Sequence, residues 1–222
     1  MTEPILQSTH VDVFNHDPWA ENYDVDVRNE TDPIRAGYSA VLDWVVAEAR
    51  IDANTTVVDL GMGTGNTAQR VRQAQELIGV DISTKMMVQA APKLSHLPNV
   101  RYVTADLLSF FHEPRHFDAL ISTYAIHHLT ESEKEQLFAA IHRSLPPGRR
   151  AVFGDLMFAD RNAEATLRAE YQALGNSEMV ETFDEEFFWY VDHATRALQA
   201  VGFKLIATKQ FSQLSWGIAV EK

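Results

Sequence analysis

The fold of this chain is decided by the stretch Thr55-Thr56-Val57-Val58-Asp59-Leu60-Gly61-Met62-Gly63-Thr64-Gly65-Asn66. An apolar strand pattern runs into three glycines at alternate positions, and a helical pattern follows. Glycine adopts positive φ easily and leaves space where a Cβ would block a ligand, and the start of a helix presents unpaired N–H groups. The stretch therefore predicts a nucleotide-binding turn at the end of a strand.

The spacing of the glycines distinguishes two kinds of nucleotide-binding turn. The dinucleotide-binding pattern G-x-G-x-x-G would place a third glycine at position 66, which is Asn66, whereas this chain has Gly65. An acid, Asp81, ends the next apolar run, where it is placed to accept hydrogen bonds from the two hydroxyls of a ribose. This D-L-G-x-G-x-G with a downstream acid resembles the class I S-adenosylmethionine-dependent methyltransferases. A nicotinamide-dependent oxidoreductase is the alternative, which the glycine spacing disfavours.

The resemblance covers roughly residues 55 to 155. The segments that carry it further, in the family's order, are 80–87 with its D-x-S-x-x-M helix start, 103–106, 117–129 and 145–153. The opening at 14–24 and the ending from Gly202 are similar to the small-molecule branch of the family, nearest to the uncharacterised YrrT-like group. The resemblance thus implies a methyltransferase of small molecules.

Alternating strand and helix patterns predict a parallel sheet covered on both faces. Two apolar runs at the end, 203–207 and 214–220, are too close for a helical crossover and must pair as an antiparallel hairpin. The resemblance then implies the Rossmann-like class I methyltransferase fold of the α/β class, a seven-stranded, mostly parallel sheet with a C-terminal antiparallel hairpin and helices on both faces. The parallel strands are predicted near 55–60, 76–81, 100–105, 117–123 and 150–156.

We expect residues 1–222 to form one methyltransferase domain, because a chain of 222 residues with 45% apolar content can bury one substantial core. Residues 1–50 would form an N-terminal cap and helix, and residues 51–222 the Rossmann-like core. Apolar side chains at helical spacing predict that the helix covers 33–50, with Asp32 as its N-cap and a proline at its first position.

The resemblance implies which residues bind the cofactor, S-adenosyl-L-methionine. Asp81 would bind the ribose and Asp106 the adenine, although each acid could instead cap a following helix, and the glycines could form only a tight structural turn. Asp59 lies in an otherwise apolar strand, where a buried carboxylate is costly unless it is paired, so the ligand's ammonium or loop amides explain it best. The predicted cofactor-binding residues are Tyr23, Asp59, Gly61, Gly63, Gly65, Asp81, Ile82, Met86, Asp106, Leu107 and Thr123.

The adjacent pair His127-His128 lies just past the fourth predicted strand, where the transferred methyl group would project. Histidine can orient a substrate or accept its proton near neutral pH, so His127 is the candidate catalytic residue. We expect His128 to be structural and the more buried of the two, because apolar Leu129 follows it. The alternative is that neither imidazole takes part in the chemistry. Asp155, at the end of the fifth strand, and Tyr23 also stand near the expected site.

The segment His112-Glu113-Pro114-Arg115-His116 formally matches the H-E-x-x-H motif of zinc proteases. That motif needs a helix that places both imidazoles on one face, and Pro114 would cost about 3 kcal/mol in a helix interior. We therefore predict a loop in this segment and no metal site.

The aromatic and acidic run at 182–193 allows two interpretations. Its aromatic side chains could line a substrate pocket. Aromatic residues at helical spacing more often belong to a core, so we predict that they pack a helix onto the sheet.

Composition and charge narrow the classes of partner. The formal net charge of −12 argues against nucleic acid, because phosphate binding needs clustered Lys and Arg. No window approaches the roughly 18 apolar residues of a membrane span, no basic signal-peptide start is present, and the chain has no cysteine, which together favour a cytoplasmic protein. We expect a small-molecule substrate, no nucleic acid, no membrane, and a monomer or homodimer.

The predicted reaction is direct in-line transfer, in which a nucleophilic atom of the substrate displaces neutral S-adenosylhomocysteine from the methyl carbon. A general base is needed only if the nucleophile is protonated at the working pH, so the accepting atom, N, O, S or C, stays open. A non-catalytic S-adenosylmethionine-binding regulatory protein is the alternative, because no single side chain is indispensable to methyl transfer.

Overall fold

Residues 7–9, 20 and 22–222 are described by a computed structural model of the chain. The predicted N-terminal cap therefore lies partly outside the described residues, including the segment 14–19 and Glu21 that carry the resemblance of the opening.

The residues that the structure describes form a sheet of eight strands. They are β1 Thr56–Leu60, β2 Glu76–Asp81, β3 Val100–Thr104, β4 Ala119–Thr123, β5 Arg150–Phe158, β6 Trp189–Tyr190, β7 Lys204–Gln210 and β8 Ser215–Glu221. Their order is β3-β2-β1-β4-β5-β8-β7, and the short β6 pairs with β5 off this path. The predicted parallel strands and the C-terminal antiparallel hairpin are confirmed, with β8 antiparallel to both β5 and β7.

The eighth strand, β6, was not predicted. It pairs in parallel with β5 over Met157 and Phe158 only, because β5 extends beyond its predicted end at 156. The run 182–193 therefore crosses three elements and is not one helix. Its aromatic residues Phe183, Phe188 and Trp189 are nevertheless buried, so the prediction that they belong to the core is confirmed.

Seven α-helices accompany the strands in the part of the chain that the structure describes. They are α1 Tyr23–Asp26, α2 Tyr38–Glu48, α3 Thr84–Lys93, α4 Glu131–Ser144, α5 Arg161–Ala173, α6 Ser177–Glu185 and α7 Val191–Ala200. None of the helices formed by residues 22–222 has the length and apolar character that a bilayer crossing requires.

The predicted start of α2 is wrong. The helix begins at Tyr38 and not at position 33, because Gly37 has a left-handed conformation (φ 79°) that a right-handed helix excludes. Asp32 does not cap the helix, since its carboxylate accepts a hydrogen bond from the Ile34 amide within a local turn (3.1 Å).

Two of the expected helical crossovers are shorter than predicted. Only the 3₁₀ turn Ala68–Arg70 follows the glycine stretch, and only Ser109–Phe111 lies between β3 and β4. The segment 112–116 is a loop, as Pro114 predicted. Each of these two crossovers thus contains one short 3₁₀ turn and no α-helix.

Neighbouring residues of the central strands point to opposite faces of the sheet, and each face carries its own apolar cluster. One face packs against α2 and α3 through residues such as Val41 and Ala90. The other packs against α4 and α7 through Phe138 and Leu198. Both layers of helices therefore hold the sheet rigidly, and the strand ends between them are fixed positions for functional side chains.

Candidate active site

A cleft lies at the carboxyl ends of the strands, where the order of the sheet reverses between β1 and β4. It encloses about 860 Å³ of space, including its open mouth. The lining residues follow β1, β2, β3 and β4 or come from the N-terminal part of the chain. They are Ser8, Tyr23, Tyr38, Gly61, Met62, Gly63, Thr64, Asn66, Thr67, Asp81, Ile82, Met86, Ala105, Asp106, Leu107, Thr123, Tyr124, Ala125, His128 and Leu129.

The glycine turn forms the floor of one end of the cleft. The amides of Gly61 and Met62 both donate to the Val80 carbonyl, at 2.8 and 2.9 Å. Gly61 has φ 76°, and a Cβ there would lie 2.4 Å from the Ala125 Cβ, so only glycine fits. Gly63 also lines the cleft.

Gly65, in contrast, is not part of the cleft wall. A Cβ at this position would lie 2.9 Å from the Cβ of Ala90 in α3. The residue thus allows α3 to approach the turn closely, which is a packing role. Its predicted contact with the cofactor stays a prediction that the geometry does not favour.

Asp81, at the end of β2, connects the glycine turn to the start of α3. One carboxylate oxygen accepts a hydrogen bond from the Gly63 amide at 2.7 Å, and the other accepts from the Ser83 amide at 2.8 Å. The N-cap of α3 is Ser83, whose hydroxyl accepts from the Met86 amide at 3.1 Å. Asp81 is therefore not the N-cap residue, and its carboxylate lies in the wall of the cleft.

Asp106 both lines the cleft and caps a turn. Its Oδ1 accepts hydrogen bonds from the amides of Leu108 (3.0 Å) and Ser109 (3.1 Å) at the start of the 3₁₀ turn. The same oxygen accepts from the amide of Ser8 at 3.3 Å, which brings the N-terminal part of the chain to the wall. The capping alternative is thus present in the structure, together with a position that suits the predicted adenine contact.

Asp59 is fully buried (0% exposed) and is not part of the cleft wall. Among the residues that the structure describes, neither carboxylate oxygen of Asp59 has a hydrogen-bond partner with good geometry. The backbone amide of Ala68 is nevertheless close enough to favour the ionised carboxylate. Burial, and then the nearby charge of Asp81, raises the pKa of Asp59 to about 7. Asp59 therefore stands behind the cleft, and its contact with the ligand's ammonium stays a prediction.

The short helix α1 is attached to the glycine turn by Asp24. This carboxylate accepts hydrogen bonds from the Thr64 hydroxyl at 2.5 Å and from the side-chain amide of Asn66 at 3.0 Å. It also forms an ion pair with Lys93 of α3 at 2.5 Å. Burial alone would raise the pKa of Asp24, but these partners hold it below its ordinary value. The network places the preceding residue, Tyr23, in the cleft.

Two further tyrosines line the cleft beside Tyr23. The rings of Tyr38 and Tyr124 stack with their centroids 5.1 Å apart, and Asn66 donates to the Tyr38 hydroxyl at 3.2 Å. Burial raises the pKa of each of the three phenols, so all of them are neutral donors and acceptors at neutral pH. In the sequence, Tyr38 is one of the apolar side chains at helical spacing over 33–50. Only its hydroxyl group indicates that it could also bind a ligand.

Thr123, at the end of β4, lies in the wall of the cleft. Its contact with the cofactor stays a prediction. Its hydroxyl forms a 2.5 Å hydrogen bond with the hydroxyl of Thr67, which links β4 to the segment after the glycine turn. The next residue, Tyr124, has the left-handed conformation that is rare outside glycine (φ 49°).

The structure reverses the expected burial of the two histidines. The His127 side chain is 6% exposed and does not line the cleft, whereas the His128 side chain is 16% exposed and does. The reason is Asp155 of β5, whose carboxylate accepts from the Ile126 amide (2.9 Å), the His127 amide (3.1 Å) and the His127 ring Nδ1. Three hydrogen bonds to one buried acid turn His127 towards the sheet, and a neighbouring apolar Leu129 does not outweigh them.

Asp155 is an ionised residue inside the core. Burial alone would raise its pKa, but the charge and the hydrogen bonds of His127, with the Leu156 amide, hold the pKa below its ordinary value. Asp155 thus lies near the site, as predicted, but acts on His127 and not on the cleft.

A second acid, Glu186, joins the two histidines. Its Oε2 lies 3.1 Å from Nδ1 of His128 and 4.0 Å from Nε2 of His127. Burial would raise the pKa of Glu186, but the hydrogen bond from His128 and the charge of the two imidazoles lower it. No local pattern distinguishes Glu186 from the other acids of the run 182–193.

The residues after Glu186 are fixed by their main chain. The Phe187 amide donates to the His127 carbonyl at 3.0 Å, and the buried Lys134 ammonium donates to the Phe187 carbonyl at 2.5 Å. The ring of Phe188 packs edge-on against the His127 ring at 6.1 Å. These contacts hold Glu186 beside the histidines.

Comparison with known proteins connects this cleft to one family. Residues 57–148 match the family model described as a methyltransferase domain. The chain is 31% identical over 204 residues to an uncharacterized methyltransferase of Geobacillus kaustophilus, covering 90% of this chain and 91% of the relative. It is 30% identical over 216 residues to one of Oceanobacillus iheyensis, covering 96% and 97%.

Solved structures agree on the fold. The magnesium protoporphyrin IX methyltransferase of Synechocystis PCC 6803 with bound S-adenosylhomocysteine superposes with a TM-score of 0.70 at 18% identity, covering 96% of this chain and 97% of that chain. The [4+2]-cyclase SpnF superposes with a TM-score of 0.64 at 15% identity, covering 83% and 80%. At such identities the likeness extends to the fold and not to a substrate.

Proposed function

Because the chain belongs to the class I S-adenosylmethionine-dependent methyltransferases, we propose that it transfers the methyl group of this cofactor to a small molecule held in the cleft. The observation that carries the proposal is that a single cleft is lined by a glycine turn, by the acids Asp81 and Asp106 and by the imidazole of His128.

The residues around the glycine turn fit the cofactor. Gly61 lets the turn lie close to Ala125, and Gly63 lines the cleft with open space where a Cβ would stand, which leaves the main chain there accessible to a ligand. Asp81 presents a carboxylate to this space, and charge-assisted hydrogen bonds to a ribose are the chemistry that it suits. Ile82, Met86 and Leu107 give an apolar surface for the adenine next to Asp106.

The cofactor's amino-acid end would lie towards Tyr23 and Thr123. Both residues line the cleft, and each carries a hydroxyl that can bind an ammonium or a carboxylate. The buried carboxylate of Asp59 adds a negative potential behind the turn when it is ionised, which favours a cationic ligand.

S-adenosylmethionine supplies a methyl carbon on a positively charged sulfur, which a nucleophile attacks in line while the electron pair of the broken bond stays on sulfur. The protein therefore has to hold the acceptor close, aligned and dry, which can contribute about 7–11 kcal/mol. His128 replaces His127 as the imidazole next to the acceptor, because His128 lines the cleft and His127 is bound to Asp155.

The position of the basic residues supports a small acceptor. Arg149 and Arg150, the basic cluster of the sequence, lie at the amino-terminal start of β5, at the opposite edge of the sheet from the cleft. Arg150 pairs with Glu48 and Glu221, and Arg149 with Asp118. These ion pairs leave the cluster poorly suited to phosphate backbones.

A transfer assay with a radiolabelled methyl group tests this proposal. The protein is incubated with labelled S-adenosylmethionine and with separate panels of small amines, thiols, hydroxy acids and phenols, next to RNA and protein fractions. We expect label in at least one small molecule, with turnover reduced by Asp81→Asn. Label that enters only RNA or protein would contradict a small-molecule acceptor.

A further inference from the structure

We propose that His127, His128 and Glu186 form a binding site for a divalent metal ion at the wall of the cleft, with zinc as the best fit. Each residue offers one ligand atom, and these atoms lie within 4.8 Å of one another. In the sequence, the segment 112–116 matches a zinc-binding motif, but Pro114 argues against the helix that this motif needs. The site proposed here joins two segments that only the fold brings together.

The distances suit a tetrahedral ion. Zinc bonds of 2.0–2.2 Å to nitrogen and oxygen place neighbouring ligand atoms about 3.3 Å apart. Oε2 of Glu186 lies 3.1 Å from the ring of His128 and 4.0 Å from the ring of His127, so the two measured distances bracket that value. All three ligand atoms lie within 4.8 Å of one another, so an ion between them would draw the side chains closer together.

His127 already has the support that a metal ligand requires. Its Nδ1 is bound to Asp155, which leaves Nε2 as the ligand atom and fixes the plane of the ring. A carboxylate behind an imidazole is the usual arrangement around metal-binding histidines, because it sets the tautomer and raises the basicity of the ligand. Asp155 is itself held by the amides of Ile126, His127 and Leu156.

The position of Glu186 is fixed by hydrogen bonds of the main chain at the next residue, Phe187. The Phe187 amide donates a hydrogen bond to the His127 carbonyl, and the Phe187 carbonyl accepts one from the Lys134 ammonium. The segment therefore cannot move away without breaking these two hydrogen bonds. The ligands thus rest on a rigid second layer, which a metal site needs.

The charges of the cluster also favour a cation. Asp155 and Glu186 bring two carboxylates into largely buried surroundings, while imidazole ligands are neutral. The Lys134 ammonium is directed to the Phe187 carbonyl and to Glu131, at 2.5 and 3.3 Å. A dication between the histidines and Glu186 would offset both carboxylates at once.

The ligand set is one that zinc accepts. Two imidazoles and one carboxylate occur in catalytic zinc sites, which keep a fourth position open, and also in non-haem iron(II) sites. His128 lines the cleft, so the open position faces the space that we assign to the acceptor. This set would bind magnesium poorly, since magnesium prefers oxygen ligands.

The metal site specifies the class of acceptor, and in this respect it rests on the proposed function. A hydroxyl or thiol held at the open position would release its proton to solvent at lower pH, because the cation stabilises the remaining lone pair. That lone pair then forms the bond to the methyl carbon. We therefore infer an alcohol, phenol or thiol as the acceptor and not an amine.

Metal binding is tested directly on the full chain after removal of metal with a chelator. We expect isothermal titration with Zn²⁺ to give one ion per chain with micromolar affinity or tighter. Co²⁺ in its place should give the strong visible absorption of a tetrahedral site. Glu186→Gln and His128→Gln should each lower zinc affinity at least tenfold.

The matched control is His193→Gln. His193 is also an imidazole beside two acids, 3.4 Å from Glu131 and 3.9 Å from Glu135, but its side chain is 45% exposed. Its substitution should leave zinc affinity within about twofold of wild type. Melting temperatures of all variants establish that each is folded before titration.

The outcomes separate the metal site from the proposed function. Wild-type protein that binds S-adenosylhomocysteine but no stoichiometric zinc overturns the metal site and leaves the methyltransferase proposal in place. The same holds if Glu186→Gln and wild type bind zinc equally, or if His193→Gln is the variant that loses it. Stoichiometric zinc that depends on Glu186 supports the site, even if no cofactor binds.

Discussion

The cofactor end of the cleft and its acceptor end are held together by different forces. At the cofactor end, main-chain amides of a tight turn meet the carboxylates that follow neighbouring strands, as at Gly63 and Asp81. At the acceptor end, side chains from separate elements bind one another, as His127 binds Asp155 and His128 binds Glu186. Substitutions at the first end should therefore mainly affect ligand binding, and substitutions at the second should mainly affect the fold or turnover.

The largest effect is expected for His127→Ala. The substitution leaves the Asp155 carboxylate buried without its imidazole, and removing one partner of a buried pair costs about 3–5 kcal/mol of unfolding free energy. Denaturant unfolding measures it, with His128→Ala as the control, since His128 is less buried. Equal losses in the two variants would contradict the assignment of His127 as the structural histidine.

Gly61→Ala should destabilise the protein by about 2–5 kcal/mol and abolish measurable cofactor binding, because the new Cβ meets Ala125 in a left-handed backbone conformation. Gly148→Ala is the matched control. Gly148 has a similar φ of 78° but open space around it, so it isolates backbone strain from the clash. If both variants lose the same stability and both bind the cofactor, the close approach at Gly61 has no role.

Asp59→Asn should stabilise the free protein, by an amount that depends on pH. The pKa of Asp59 is raised in the folded state to about 7, so the wild-type contribution is complete below the ordinary aspartate pKa and is lost as the pH rises through 7. The advantage of the variant should therefore grow between about pH 4 and 7, to roughly 2–4 kcal/mol, and then level off. Unfolding free energies at pH 5, 6, 7 and 8 measure this change. An advantage that does not vary with pH would mean that Asp59 ionises normally in the fold.

The smallest of these effects concerns Asp81→Asn. The amide keeps the size of the side chain but removes the charge from hydrogen bonds worth about 1.5–3 kcal/mol, so cofactor affinity should fall roughly ten- to a hundredfold. Asp160→Asn is the control, because Asp160 caps α5 through two amides without lining the cleft. An Asp81→Asn variant that is destabilised like Asp160→Asn, but binds normally, would show that Asp81 acts only on the turn.

The residues assigned to the cofactor have clearer local sequence signals than those assigned to the acceptor, for a physical reason. Gly61, Asp81 and Asp106 each lie at the end of a strand or within two residues of it, so a local pattern is enough to place them at one edge of a parallel sheet. Glu186 reaches the site through contacts between residues far apart in the chain, and no local pattern contains them.

The errors have the same origin. The relative burial of His127 and His128 depends on Asp155, a residue of another strand, and could not be read from the neighbouring Leu129. The start of α2 was misplaced because apolar spacing does not reveal that Gly37 is left-handed. Tyr38 belongs to the apolar stripe of the predicted helix, and of the α2 residues it alone lines the cleft, while Val41 and Val45 pack in the core.

Calorimetric titration of the purified protein with S-adenosylmethionine, S-adenosylhomocysteine and NAD tests which cofactor the cleft binds. The glycine turn that ends at Gly65 and the acid at Asp81 predict micromolar binding of S-adenosylmethionine or S-adenosylhomocysteine and no binding of NAD. Saturable binding of NAD, with neither sulfur-containing ligand detected, would contradict the assignment of this cleft to methyl transfer.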